Sequence, residues 1–171
     1  MDVFTAIQGR RSIRKYKPAP VEEKKLSQVL EAARLAPSAG NLQNWRFVVV
    51  RDETARRRLA KAAGGQLWVA EAPVIIAACG TETDQVMLCG QHRYNINISI
   101  AVTHMILEAY ELGLGACWLG MFEEDRVKEI LDIPEYVRVV AVIPLGYPAE
   151  DVRPRPRKSL REIVSYEKYL F

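Results

Sequence analysis

Residues 94–120 read YNINISIAVTHMILEAYELGLGACWLG. After two or three polar residues, apolar side chains at Ile96, Ile100, Ala101, Leu107 and Leu112 are joined by Ile98, Val102, Met105, Ile106 and Ala109 around much of a helical circumference. A helix apolar on most sides belongs at the centre of a domain, covered by other elements. The pattern predicts such a helix over about 95–112, ended by Gly113 and Gly115. Ala116-Cys117-Trp118-Leu119 then reads as a short buried strand before Gly120. The chain on both sides is expected to pack on this helix.

Downstream, Glu123–Leu131 patterns as a short helix set off by Pro134, and Val137–Leu145 is the most β-branched run of the chain, a long strand. Upstream, Ala72-Pro73 leads into a buried strand at Val74–Cys79. Trp45–Val50, WRFVVV, is another strand, and it alternates so little that a central position is expected. Helices are interspersed: Val3–Gln8 behind an Asp2 cap, Val21–Leu35 with Leu26, Val29, Leu30 and Ala33 on one stripe, and a basic helix at Thr54–Ala63 broken by Gly64-Gly65. Ser159–Tyr166, with Ser159 and Glu162 in capping-box spacing, predicts a last helix. Strands separated by helices within 171 residues indicate one domain, 1–171, of three-layer α+β or α/β type.

At 49% hydrophobic and 26% charged, the composition is that of a folded soluble protein. The net charge of +3 is too small to imply nucleic acid by itself, so its distribution matters more. Basic residues gather at the two ends: Arg10, Arg11, Arg14, Lys15 and Lys17, then Arg153, Arg155, Arg157, Lys158 and Arg161. If the ends meet in space they make a focused anion site; otherwise they are solvated surface. Cys79, Cys89 and Cys117 lack CxxC spacing and read as buried free thiols of a reducing cytosol; Cys89, beside Gly90 and His92, is the least apolar of the three and leaves a reactive or ligand role open. The N-terminus lacks an apolar signal-peptide core, and no run reaches the roughly 18 apolar residues of a membrane span. The expected location is the cytoplasm.

Familiar signatures are missing: no GxGxxG after a first strand, no GxxxxGK[ST] and no HExxH. His92 and His104 stand apart from any acidic cluster, which argues against a metal, and nothing in the spacing of Ser12 or Ser38 supports acyl transfer. Gly80–Cys89 is polar and unpatterned, either a flap over a site or a plain surface loop. The apolar end Tyr169-Leu170-Phe171 has no evident place on its own globule, and a subunit interface is its economical home. Three irregular polar segments do stand on firm elements: Arg10–Arg14, Ser38–Asn44 and Arg153–Lys158. Each alone is an ordinary surface feature. Together they offer guanidinium forks for a phosphate, with hydroxyls and amides for a polar ring edge, and so suggest a phosphorylated, partly aromatic ligand.

At these same residues the sequence resembles the nitroreductase family of FMN-dependent oxidoreductases. RRSIRKY at 10–16, APSAGNLQNWRFVVV at 36–50, EAPVIIAAC at 71–79, ELGLGACWLG at 111–120 and PLGYP at 144–148 before RPRK carry the resemblance, in order, over nearly the whole chain. It implies an α+β, three-layer α-β-α fold with a mixed or antiparallel central sheet around the buried helix. It also implies a homodimer whose C-terminal segment is exchanged with the partner subunit, with FMN at the interface. Carried over, Arg10 and Arg14 would bind the FMN phosphate, with Arg11 and Ser12 on phosphate, ribityl or pyrimidine oxygens. Arg157, with Arg155 or Lys158, would close that site. Pro37, Ser38, Ala39 and Asn41 would line the isoalloxazine largely from the partner subunit, Gln66 would stand near its polar edge, and Leu119, Gly120 and Met121 would cover the other side.

The resemblance further implies ping-pong hydride transfer from NAD(P)H to a flat acceptor such as a nitroaromatic or quinone, with no side chain acting as acid or base. Asn44 replaces the family's usual proline, His104 its common asparagine, and Tyr94-Asn95-Ile96-Asn97 lacks an acidic residue often found there. The short 80–93 segment predicts an open pocket. Two other readings compete: a flavin-holding regulatory or storage protein without turnover, and a nucleic-acid binder using the arginine clusters.

Overall fold

In the computed structural model, which describes residues 2–169, the chain opens with α1 (Val3–Gly9). Asp2 caps it, accepting the Thr5 N–H at 2.9 Å and the Thr5 hydroxyl at 2.6 Å. α2 (Glu23–Arg34) buries Leu26, Val29 and Ala33. A loop with one 3₁₀ turn, Ala39–Asn41, leads to β1 (Trp45–Val50). α3 (Glu53–Ala62) starts from Asp52, which accepts the Ala55 N–H at 2.8 Å, and a 3₁₀ turn at Leu67–Glu71 precedes β2 (Val74–Gly80). The long helix is α4 (Arg93–Glu111), followed by β3 (Gly115–Ala116), α5 (Glu124–Leu131), β4 (Arg138–Gly146) and α6 (Leu160–Ile163).

The four strands form one antiparallel sheet in the order β1-β2-β4-β3. Alternate residues of β2 feed two cores. Val74, Ile76 and Ala78 pack with α2 and α4; Ile75, Ala77 and Cys79 pack with α3 and α5. The pairing register shifts between Ala78 and Cys79, which face Ala141 and Val139, so Val140 is an extra residue on β4. The bulge inverts the parity: Val139 joins the second core while Ala141 joins the first. The result is helix layers on both faces of a sheet, the three-layer arrangement expected. Among the described residues no helix is long and apolar enough to cross a membrane.

Several expectations need correction. β1 lies at a sheet edge, not at its centre. Its apolar run from Phe47 to Val50 reflects cover on both faces, Phe47 and Val49 against the first core and Val48 and Val50 against the second, and cover is independent of strand order. The expected 116–119 strand is two residues of β3 plus a single bridge from Leu119 to Val142. The final helix is one capped turn, because Leu160, Ile163, Val164 and Tyr166 are exposed and a lone turn has no packed face to extend it. Of the apolar end, Tyr169 is exposed, and Leu170 and Phe171 lie outside the described residues. The chain's own elements also leave one side of α4 uncovered: Asn95, Ile96, Ser99, Ile100, Thr103 and His104 line an open cavity of about 420 Å³.

One close approach ties the N-terminal segment to the sheet. A Cβ on Gly115 would stand 2.5 Å from Cγ1 and 2.9 Å from Cβ of Ile13, too near the Ile13 backbone for a rotamer change to relieve. Gly115→Ala is therefore expected to destabilise the fold by about 2 kcal/mol. For a domain of this length that is a fall of roughly 4–8 °C in Tm, readable by calorimetry. An unchanged Tm would mean that the 10–16 segment is not seated on β3.

Candidate functional site

The basic segment after α1 is pinned along the sheet edge. Ser12 bridges Ala116 in parallel, the Ile13 N–H donates to Ala116 O at 3.1 Å, the Ala149 N–H to Lys15 O at 2.9 Å and the Lys17 N–H to Tyr147 O at 2.8 Å. Ile13 and Tyr16 turn into a small third core with Ala72, Trp68 and Val152. The Tyr16 hydroxyl donates within this core, to Ile13 O at 2.8 Å or Pro144 O at 3.2 Å, and burial pushes its pKa far above the ordinary phenol value. With Ile13 and Tyr16 used as anchors, the arginines are left for the surface.

Arg10, Arg11, Ser12 and Arg14 line one concavity of about 180 Å³ with Val152, Arg155 and Arg157. The two basic ends, about 140 residues apart in sequence, thus meet within a single chain. Lys158 is exposed and outside that lining. The Arg11 guanidinium is partly committed, donating to Gln8 O at 2.6 Å and Arg10 O at 2.9 Å, while its Nε is buried with no protein partner. Arg14 donates its backbone N–H to the Glu150 carboxylate at 2.6 Å and holds its guanidinium 5.9 Å from the Trp68 ring centre. Cys117 lies nearby; burial pushes its thiol up against the pull of Arg14, a hydrogen bond with Ser12, and Arg10, so the thiol stays protonated at neutral pH. Five guanidinium groups with no carboxylate in the lining suit a multiply charged, multidentate anion.

Gln66 stands at the turn made by Gly64 and Gly65, both at positive φ, and donates from Nε2 to Ala63 O at 2.9 Å. It opens the 3₁₀ turn whose Trp68 reaches Arg14. Leu119 is buried, and its N–H is spent on Val142 O at 3.0 Å. Gly120 and Met121 are exposed; a Cβ on Gly120 would meet nothing within 4 Å, and Met121 Sδ is 3.6 Å from the Cβ position of Gly64. Gln66 and the 120–121 step therefore flank the same turn.

Pro37, Ser38, Ala39 and Asn41 sit elsewhere. Their loop is tied to the N-terminal third of α4, where the Ala39 N–H donates to Asn97 Oδ1 at 2.9 Å and Asn97 Nδ2 donates to Asn44 Oδ1 at 2.8 Å. Ser38 Oγ accepts the Gln43 N–H at 3.0 Å, which leaves the hydroxyl proton free to donate outward. The arginine concavity adjoins the other end of α4: Arg10 and Arg11 also line a neighbouring cavity with Ile106 and Tyr110. From Asn97 to those residues is about 14–20 Å along the helix axis. The 37–41 loop and the arginine concavity thus stand near opposite ends of α4.

Sequence reasoning did not single out Trp68, Glu150 or Asn97 as parts of a site, and it reached Asn44 only as the last residue of the Ser38–Asn44 segment. Only Asn97 had a local signal, a polar residue between Ile96 and Ile98. Among the described residues no cluster of three or more His, Cys, Asp or Glu side chains is placed to hold a metal; Cys79 and Cys117 are buried as expected, whereas Cys89, in the polar 80–93 segment, is exposed.

The family model described as the nitroreductase family matches residues 7–74 and 64–147. A Thermus thermophilus protein named NADH dehydrogenase is 36% identical over 96% of this chain and 95% of its own length. The crystal structure of a nitroreductase family protein from Clostridium difficile superposes with a TM-score of 0.89 at 33% identity, covering 99% of this chain and all of that one (100%). An FMN-dependent nitroreductase from another strain of that organism gives 0.85 at 29% identity, over 97% and 99% of the two chains.

Proposed function

The chain belongs to the nitroreductase family, and from that premise we propose that this FMN-dependent, NAD(P)H-oxidising enzyme runs a ping-pong cycle at two composite sites between two copies of the chain. The observation that carries the two-copy reading is the separation of the half-sites about the open strip of α4. The midpoint between Asn97 and the 106–110 end falls at about Thr103, inside that strip. A two-fold axis crossing the helix there sets two α4 helices antiparallel and brings each 37–41 loop toward the other copy's arginines.

In this reading Arg10, Arg11, Arg14, Arg155 and Arg157 hold the FMN phosphate, and the buried, unpartnered Arg11 Nε fits such an anion. Ser12 and Gln66 offer polar contacts to the ribityl and pyrimidine oxygens. Pro37, Ser38, Ala39 and Asn41 of the second copy line one side of the ring. Gly120, open around its Cα, lets a flat ring approach the backbone, with Met121 beside it and Leu119 as the buried support. When bound, FMN supplies the hydride chemistry at N5 of its ring. The protein supplies orientation, guanidinium and N–H stabilisation of negative charge, and a slot for planar molecules, with no side chain needed as acid or base. The physiological acceptor is proposed only as a flat nitroaromatic or quinone.

The purified protein is expected to be yellow, to bleach on anaerobic addition of NADH or NADPH, and to regain colour when a quinone or nitroaromatic is added. A colourless protein that takes up no added FMN would end this reading. Bound FMN that neither nicotinamide bleaches would mark a flavin-holding protein instead.

A further inference from the structure

Among the described residues the buried core contains two amide side chains, Asn44 at 2% exposure and Asn97 at 0%, and they bond to each other. Their orientation follows from the donors available. Asn97 must turn Oδ1 to the Ala39 N–H, so it offers Nδ2 to Asn44 Oδ1, and this leaves Asn44 Nδ2 buried without a partner. A core that retains two amides and an unmet donor gives up stability that apolar residues of the same size would provide. The loop they serve is itself strained. Gly40, Asn41 and Gln43 have φ of 63°, 54° and 50°, and Gln43 has neither glycine's freedom nor asparagine's tolerance of that region. The backbone of Asn44 is fixed as well, accepting the Thr81 N–H at 3.1 Å.

We propose that the Asn97–Asn44 amide pair is a positioning device that holds the strained 38–43 loop in its flavin-facing form. The pair draws the Ala39 N–H inward against α4 and so sets the exit direction of Ser38 and Asn41. The inference rests on the FMN reading above. Asn97 and Asn44 touch no flavin; they act through the loop.

Asn97→Leu removes both bonds, whereas Asn97→Asp keeps an oxygen for Ala39 and lets the Asn44 amide turn to offer its unused Nδ2. Two measurements on the full-length protein decide the matter: amide hydrogen exchange across 38–43 without flavin, and FMN titration followed by the visible spectrum of the bound form. N97L is expected to exchange about tenfold faster in the loop, to bind FMN about tenfold more weakly and to shift the flavin band, while N97D stays within about threefold of wild type. If N97L does not fold, Asn44→Leu, which frees the Asn97 amide but keeps its bond to Ala39, is expected to show the same changes to a smaller degree. Faster exchange with unchanged FMN affinity and spectrum would reduce the pair to a brace and overturn the proposal, as would equal losses in N97D and N97L. Failure of the wild-type protein itself to bind FMN would instead overturn the functional reading beneath it, and the wild-type titration separates the two cases.

Discussion

Thr103→Arg is expected to convert the protein into a monomer that holds no flavin. Thr103 is exposed on the single chain, and its hydroxyl is spent on Ser99 O at 2.7 Å within α4. Arginine has the higher helix propensity, so the isolated fold should tolerate it. At a two-fold seam the variant would bring two like charges together in a desolvated contact. The cost is about 3–5 kcal/mol, roughly two to four orders of magnitude in the dimer Kd. Sedimentation should show one-chain particles, and FMN titration should show no binding, since each half-site loses its complement. A monomeric wild type, or a T103R protein that binds FMN normally, would refute the composite site.

The second large effect belongs to the phosphate grip. The pair Arg10→Ala with Arg157→Ala removes two guanidinium groups from the 180 Å³ concavity, one from each end of the sequence. A hydrogen bond to a charged group contributes about 1.5–3 kcal/mol, so the double variant should weaken FMN by roughly two to four orders of magnitude. Riboflavin, which lacks the phosphate, should lose little, and that contrast separates the anion site from general damage. The FMN affinity of the wild type should fall with added salt, and the variant should be less sensitive. Arg57, exposed and paired with Glu53 on α3, is the control whose replacement leaves FMN binding unchanged. Equal weakening of FMN and riboflavin would mean that these arginines do not hold the phosphate.

The 10–14 and 38–44 segments could be singled out from sequence because arginine forks, hydroxyls and side-chain amides announce polar chemistry locally. Their assignment to FMN came from the ordered run of motifs, since arginines alone do not name an anion. Trp68 and Glu150 were invisible at that level. Trp68 looks like any residue of an apolar turn, and only the fold sets Arg14 5.9 Å from its ring. Glu150 lies beyond a proline turn, where nothing foretells its bond to a backbone N–H 136 residues away. Asn97 looked like one of several polar residues at the start of a helix, and its complete burial follows from its position facing Ala39 and Asn44.

By itself, the sequence determined the local periods: the Leu26-Val29-Ala33 stripe, the all-apolar β2 and the long apolar helix. Those periods state which faces must be buried, and they are enough for two helix layers on one sheet. Tertiary structure alone decided that β1 is an edge, that the two basic ends share one concavity, and that α4 keeps an open strip between the 37–41 loop and the arginines. The physical reason is that burial is a property of a face and is written in neighbouring residues. Adjacency between distant segments depends on how whole layers stack, and no short stretch of chain encodes it.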